Sequence, residues 1–332
     1  MGTIATVDLG AHGPVVGVQG LGCMSMSGCY GSTDAAEATA TLKRALELGV
    51  TFLDTADMYG FGGNEELIGP FVRAQRHDIV LATKFGVERS NGDHLRYVLR
   101  NDPSYIRRAA DASLRRLGVE HIDVYYMHRR DSRIPLAESV GAMAELVQAG
   151  KVRHLGLSEV SGDELREAHA VHPIAALQSE WSVFSRDVEQ SAVPTAAELG
   201  VALVPYSTLA RGFLAGTFSR ADGLPVSDPR RYQPRLTGDN AAHNEALLWP
   251  IREIASTHGA TPAQVALAWV HQQAHVHGLT VVPIPGTRKP SRLEENTSAL
   301  ALTLSAEELA DLDSISDQVA GDRYADMSSV SR

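Results

Sequence analysis

Short apolar runs alternate along the chain with longer stretches whose apolar residues recur every three or four positions. The short runs have strand length. The longer ones read as amphipathic helices packed by one face. A predicted hairpin between Ala5 and Val18 turns at Gly10–Gly13. The alternation then starts with a strand at Gly17–Cys23 and a helix at Asp34–Leu48. Strands at Thr51–Ala56, Ile79–Phe85 and Ile122–His128 follow, with helices at Glu65–Ala74, Ser104–Leu117 and Leu136–Ala149. Val152–Ser158, Ala175–Trp181, Ala202–Ser207 and Thr280–Pro285 complete a set of eight strands. Their helices fall at Asp163–His169, Gln190–Leu199, Asn244–Thr257, Pro262–His271 and Ser291–Thr297. A last helix, Ala306–Ser316, begins at Ser305-Ala-Glu-Glu308, the spacing of a reciprocal cap.

Strand and helix in regular alternation predict an α/β fold with a parallel sheet covered by helices. A doubly wound open sheet competes, but eight strands favour closure. The expectation is one (β/α)8 barrel over residues 1–332, with an N-terminal hairpin and an extra C-terminal helix. No Pro/Ser-rich linker or charge run divides the chain. The segment Thr208–Asn240 is too long for an idle connection, which points to a functional loop.

Composition narrows the partners. A formal net charge of -10 argues against nucleic acid or an anionic membrane, both of which need a basic face. No apolar run approaches the roughly 18 residues that span a bilayer. The opening stretch lacks a basic region followed by an apolar core. Cys23 and Cys29 cannot build a disulfide framework. A cytoplasmic protein with reduced thiols and no metal site is expected, and self-association is left open.

In such a barrel the active site lies at the carboxyl ends of the strands. Strand two ends at Asp54 and runs into Asp57 and Tyr59. Strand three ends at Lys84, strand four at His128 followed by Arg129, and strand five at Ser158 and Glu159. Strand six carries Gln178 and Trp181, strand seven ends at Tyr206 and Ser207, and strand eight runs into Pro285-Gly286-Thr287-Arg288-Lys289. A carboxylate, a phenol, an ammonium and an imidazole would thus share one mouth. A lysine cation beside a phenol should lower its pKa from about 10, with the aspartate holding the lysine in place. The imidazole can orient a carbonyl oxygen. Together they suit the protonation of an alkoxide as it forms. Singly, each has a plainer explanation: a helix cap for Asp54, a core aromatic for Tyr59, a surface charge for Lys84, a packed ring for His128.

The stretch Phe52-Leu-Asp54-Thr-Ala-Asp57-Met-Tyr59-Gly60 resembles the aldo-keto reductase superfamily around its catalytic Asp and Tyr. So do Ala82-Thr-Lys84-Phe-Gly86, Asp123-Val-Tyr-Tyr-Met-His128, Gly156-Leu-Ser158, Pro205-Tyr-Ser-Thr-Leu-Ala-Arg-Gly212 and Pro283-Ile-Pro-Gly-Thr-Arg288. The likeness runs in order along nearly the whole chain. Met24–Gly31 and Gly321-Asp-Arg-Tyr324 resemble the bacterial and plant branch related to potassium-channel β subunits.

The resemblance implies an NADPH-dependent reduction of aldehydes or ketones. Tyr59 would be the general acid, tuned by Lys84 and Asp54, and His128 would orient the carbonyl. Ser158 and Gln178 would hold the nicotinamide carboxamide, with Tyr206 stacked on the ring and Gly22 and Met24 bordering the cofactor. Ser207, Leu209 and Arg211 would follow the pyrophosphate. Gly286, Thr287, Arg288, Arg292, Glu295 and Asn296 would grip the adenosine end. Cations beside a Gly-Thr turn entering a helix also form a phosphate site on general grounds, which favours NADPH over NADH. Tyr30, Met58, Arg129, Trp181 and Phe213 are the candidates for the pocket of a small carbonyl substrate.

Two departures stand out. Glu159 follows Ser158 where many relatives carry Asn, and an ionised Glu accepts hydrogen bonds but cannot donate them. No G-x-G-x-x-G motif is present, so Gly20 and Gly22 read as space for close packing, not as a phosphate loop. Two other readings compete. One is a Schiff-base aldolase using Lys84, and the other is an NADPH-binding redox-sensing subunit with weak turnover.

Overall fold

The computed structural model describes residues 2–89, 97–216, 218–328 and 330. The chain opens with the antiparallel hairpin β1 (Thr6–Asp8) and β2 (Val15–Gly17), as expected. Next come β3 (Leu21–Gly22), α1 (Ala35–Glu47), β4 (Phe52–Asp54), α2 (Gly63–Ala74) and β5 (Val80–Phe85). A second small ladder, β6 (Val87–Arg89) with β7 (Tyr97–Leu99), was not anticipated. The alternation resumes with α3 (Pro103–Leu117), β8 (Ile122–Met127), α4 (Leu136–Gln148), β9 (Val152–Ser158), α5 (Gly162–Val171), β10 (Ile174–Glu180), α6 (Ala192–Leu199) and β11 (Ala202–Tyr206). Helices α7 (Gly238–Ala246), α8 (Trp249–His258), α9 (Pro262–His277), α10 (Pro290–Ser298) and α11 (Ala306–Asp313) close the order. The single helix expected at Asn244–Thr257 is broken before Trp249, where Pro250 opens a new first turn.

Seven strands pair in parallel in the order β11-β10-β9-β8-β5-β4-β3. Residues 281–286 close the ring. Val282 N donates to the Leu203 carbonyl (2.9 Å), Ile284 N to that of Pro205 (3.0 Å), and Gly20 N to that of Pro283 (2.9 Å). Bridges join Leu203 to Val281 and Gly22 to Gly286. The expected eighth strand therefore bonds only at alternate positions, because Pro283 and Pro285 have no N–H to give. The result is a (β/α)8 barrel.

Strand parity decides what fills it. Phe52, Ala82, Val124, Tyr126, Ala176, Ala202, Val204, Val282 and Ile284 form the interior, plugged at the amino end by Leu9 and Val16 of the hairpin. The intervening residues Tyr125, Met127 and Leu177 face outward under the helices. Space inside is tight. A Cβ on Gly20 would sit 2.8 Å from the Phe52 ring and 2.9 Å from the Ile284 side chain, which bears out its reading as a packing glycine.

The capping box at Ser305 and Glu308 is present. Two more, at Ser161/Glu164 and Thr261/Gln264, start α5 and α9. On α9, His271 Nε2 lies 3.0 Å from Oε1 of the buried Gln19, and desolvation pushes its imidazole pKa down to about 4. The unfolded chain takes up this proton near 6.5 and the folded chain only near 4. Stability is therefore lost as pH falls through that window. His271→Gln should flatten the decline between pH 7 and pH 5 by up to about 2 kcal/mol, read from urea midpoints. Parallel curves for the two proteins would rule this out.

Candidate active site

Asp54 closes β4, Lys84 lies near the end of β5, and His128 follows β8. Each stands two residues beyond an inward-facing core residue: Phe52, Ala82 and Tyr126. The two-residue period of a strand therefore carries all three side chains into the barrel at its carboxyl end. Tyr59 arrives from the turn Tyr59–Gly62, where Gly60 and Phe61 both take left-handed backbone angles. Lys84 Nζ donates to Asp54 Oδ1 (2.5 Å) and to the Thr55 carbonyl (2.8 Å), and it lies 5.2 Å from the centroid of the Tyr59 ring. The rings of Tyr59 and His128 meet edge to face at 5.9 Å. The four residues expected to act together are together.

Their electrostatics differ from the expectation in one respect. Burial pushes the Tyr59 phenol well above its ordinary value, and Asp54 adds to the rise. The cation that opposes this is Arg129. Lys84 is completely buried and bonded to Asp54. Burial drives Asp54 up and Lys84 down, against their mutual attraction. Tyr59 is thus a firmly protonated donor. It is not the lysine-lowered phenol read from the sequence.

A buried polar frame supports the group. Thr55 Oγ1 donates to Asn64 Oδ1 (2.6 Å), and Asn64 Nδ2 donates to the Cys23 carbonyl (2.8 Å). Glu65 accepts from Thr83 Oγ1 and Arg116 Nε, both at 2.6 Å. Burial and the nearby Glu65 raise the Asp57 carboxyl to about 8. Both cysteines are free thiols, and burial lifts that of Cys23 to about 12, where it is inert.

Across the mouth, Ser158, Glu159 and Tyr206 meet as expected. Tyr206 Oη donates to Glu159 Oε1 (2.8 Å). Arg129 reaches the His128 carbonyl (2.6 Å), Ser158 Oγ (3.1 Å) and Tyr206 Oη (3.3 Å). Gln178 is committed to the tetrad instead, with Nε2 donating to Asp54 Oδ2 at 2.9 Å. Among the described residues, the non-glycine positions with left-handed backbone are Phe61, Glu159, Ser207, Ala210 and Arg211. All lie on segments that leave carboxyl ends of strands, where such strain commonly marks function.

The opposite rim carries the predicted adenosine end. Gly22 and Gly286 bridge directly, and Met24 opens a half-buried turn beside them. Thr287 Oγ1 accepts from Lys289 N (3.1 Å). Arg288 donates to the Tyr30 carbonyl (3.2 Å), and Asn296 is buried. Arg292 and Glu295 pair with each other at 2.6 Å. Leu209 leans on the outer core, while Arg211 crosses the mouth to Tyr30 Oη (3.0 Å) and Tyr324 Oη (2.8 Å).

Three pocket candidates fall elsewhere. Trp181 is fully buried between β10 and α9, edge-on to Trp269, with its indole N–H on Glu189. Phe213 is fully buried between Phe184 and Phe218. Both are core residues: large aromatics at loop starts are drawn under the helices when apolar neighbours surround them. Met58 lines an outer cleft of about 370 Å³ with Phe61, Tyr105 and Arg116. Tyr30 and Arg129 remain at the mouth. A larger cavity of about 460 Å³ lies at the amino end of the barrel, beneath the hairpin, with Asp8 as the one ionisable residue in its lining. It holds no set of groups for chemistry. Arg323 and Tyr324 were not expected in the site, yet both reach it. Their signal in the sequence is slight, a cation and a phenol just after a glycine.

A sequence model of the Aldo/keto reductase family matches residues 20–317. The chain is 42% identical over 326 residues to "Probable aldo-keto reductase 1" of Glycine max, covering 97% of this chain and 92% of that protein. Among solved structures it is similar to the glycerol dehydrogenase AKR11B4 from Gluconobacter oxydans, with a TM-score of 0.84 and 27% identity over 96% of both chains. It is also similar to the holo form of aldo-keto reductase AKR11C1 from Bacillus halodurans, with a TM-score of 0.75 and 28% identity, covering 97% of this chain and 98% of that one.

Proposed function

The chain belongs to the aldo/keto reductase family, and on that premise we propose that it reduces small aldehydes or ketones with NADPH, using Tyr59 as the proton donor. The observation that carries this reading is the buried Asp54–Lys84 pair set against Tyr59 and His128 at the carboxyl mouth. Lys84 is fully buried and engaged by two acceptors, which leaves it poorly suited to attack a carbonyl and disfavours the Schiff-base alternative.

The donor set fits a dinucleotide. Among the described residues, the buried hydroxyls of Ser25 and Thr208 have no hydrogen-bond partner, and they flank the two rims of the mouth. Ser158 and Glu159 would hold the carboxamide and Tyr206 the ring face. Ser207 and Arg211 would follow the pyrophosphate, and Thr287, Arg288 and Asn296 the adenosine end. A bound nicotinamide supplies the hydride.

The chain supplies the rest. Tyr59 gives its proton to the carbonyl oxygen as negative charge builds there. The tyrosinate left behind is stabilised by the Arg129 guanidinium, while Lys84 holds Asp54 in place beside it. His128, edge-on to the phenol, orients the same oxygen. Burial of the whole group strengthens each of these interactions.

Arg288 is assigned to the 2′-phosphate. Arg288→Ala should raise the NADPH dissociation constant by about tenfold or more, the strength of a charge-assisted contact, while NADH binding changes little. Fluorescence titration with both cofactors checks it, and equal losses for the two would remove the assignment. A panel of aldehydes, ketones and sugars with NADPH, scored by cofactor oxidation, tests the reading as a whole. NADPH binding with no turnover on any of them would favour the regulatory-subunit alternative.

A further inference from the structure

Glu159 can accept but not donate hydrogen bonds, and its surroundings are built for a carboxylate. Its side chain is completely buried, and that of Arg323, 164 residues further along, is nearly so. Nη1 of Arg323 meets Oε1 and Nη2 meets Oε2, each at 3.2 Å, a fork-to-fork pair. Oε1 also accepts from Tyr206 Oη (2.8 Å) and from the backbone N–H of Glu180 (2.9 Å). A buried ion pair is kept only when its charged groups are satisfied by hydrogen bonds, and here the Glu159 carboxylate takes the guanidinium fork, a phenol and a backbone N–H, with Asp187 3.6 Å from Arg323 Nε. Burial pushes the Glu159 carboxyl up, but Arg129 and Arg323 outweigh it and hold the group ionised.

The tail that brings Arg323 is itself fastened. Asn244 on α7 exchanges two hydrogen bonds with Ala320 (2.9 and 2.8 Å). Arg235 Nε donates to the Gly321 carbonyl (2.9 Å). Gly321 has a left-handed backbone, and a Cβ there would lie 2.7 Å from the Asn240 side chain and 3.0 Å from the Pro234 backbone. From this anchor Tyr324 reaches Tyr206 Oη (3.2 Å), and the Arg211 guanidinium stacks over its ring at 5.3 Å.

We propose that Arg323 is a positioning residue for the cofactor's nicotinamide end: its ion pair with Glu159 fixes that carboxylate as an acceptor and Tyr206 as a ring platform. The proposal rests on the NADPH reading above. Glu159 as an acceptor suits the NH2 of a carboxamide, and the same carboxylate orients the Tyr206 phenol. Without Arg323 the carboxylate loses both arms of the guanidinium fork and turns toward Arg129. The C-terminal tail, which contributes nothing to the tetrad, thereby completes the cofactor site.

The test compares the wild type with Arg323→Met, Arg323→Lys, the double variant Glu159→Gln/Arg323→Met, and Gly321→Val, which displaces the tail while leaving both residues of the pair unsubstituted. NADPH affinity is read by fluorescence titration, fold by thermal midpoint, and exchange of the Glu180 amide by hydrogen exchange without cofactor. Arg323→Met should weaken NADPH about tenfold or more and speed Glu180 exchange. Lys, which keeps the charge but loses the fork, should recover part of the affinity. The double variant should regain thermal stability without regaining affinity, and Gly321→Val should reproduce the affinity loss. A lower thermal midpoint in Arg323→Met with NADPH affinity within about twofold of wild type would reduce the pair to a fastener and overturn the proposal. If Arg323→Met fails to fold, unchanged affinity in Gly321→Val overturns it instead. Wild type that does not bind NADPH sinks the cofactor reading, and this proposal with it. Normal wild-type binding with unaffected variants sinks the proposal alone.

Discussion

Tyr59→Phe is expected to lower the turnover of carbonyl reduction by about a hundredfold to ten-thousandfold, the range for loss of a placed general acid. NADPH affinity should stay within about twofold, because the phenol faces the reacting oxygen and makes none of the proposed cofactor contacts. The ring stays, so its packing against His128 and the face it offers to Lys84 are kept. The loss should therefore appear in kcat and in kcat/KM alike, the pattern of an interaction made only in the transition state. Steady-state kinetics beside a binding titration separates the two. A fall in affinity as large as the fall in turnover would mean that the hydroxyl holds the cofactor instead.

Lys84→Met should cost both activity and stability. It leaves Asp54 buried with Gln178 as its remaining donor, and breaking a buried pair from one side typically costs about 3–5 kcal/mol. Burial has already raised the Asp54 pKa, so part of that loss is relieved when the carboxyl takes a proton. The double variant Asp54→Asn/Lys84→Met removes both charges. It should recover most of the stability while turnover remains depressed by at least about a hundredfold. Urea midpoints and kcat, measured on the same preparations, distinguish the roles. Recovery of turnover along with stability would show the pair to be a structural support only.

Much of this was legible in the sequence because barrel strands have a strict two-residue period. Phe52 and Asp54, Ala82 and Lys84, and Tyr126 and His128 share parity, so the pattern that fills the barrel also aims its chemistry. Parity cannot say how far a residue lies from the axis once a strand has ended. Trp181 sits just past the end of β10 and Phe213 in the loop after β11, and they turned outward because apolar partners awaited them under α9 and beside Phe184. The eighth strand was found, but its two prolines thinned its ladder. The tuning of Tyr59 is not legible in spacing, which shows which charges are near but not how deeply the phenol is buried or that Lys84 is held by Asp54. Glu159 was recognised as a departure, yet its partner comes from a tail with no periodic pattern to reveal it.

The most direct test of NADPH-dependent reduction supplies wild type with NADPH deuterated at the transferring position of the nicotinamide, over a panel of aldehydes and ketones. The expected result is one deuterium at the carbinol carbon of each alcohol formed, with yields falling by about a hundredfold or more in Tyr59→Phe. Alcohol formed without deuterium, or at an undiminished rate in Tyr59→Phe, would contradict it.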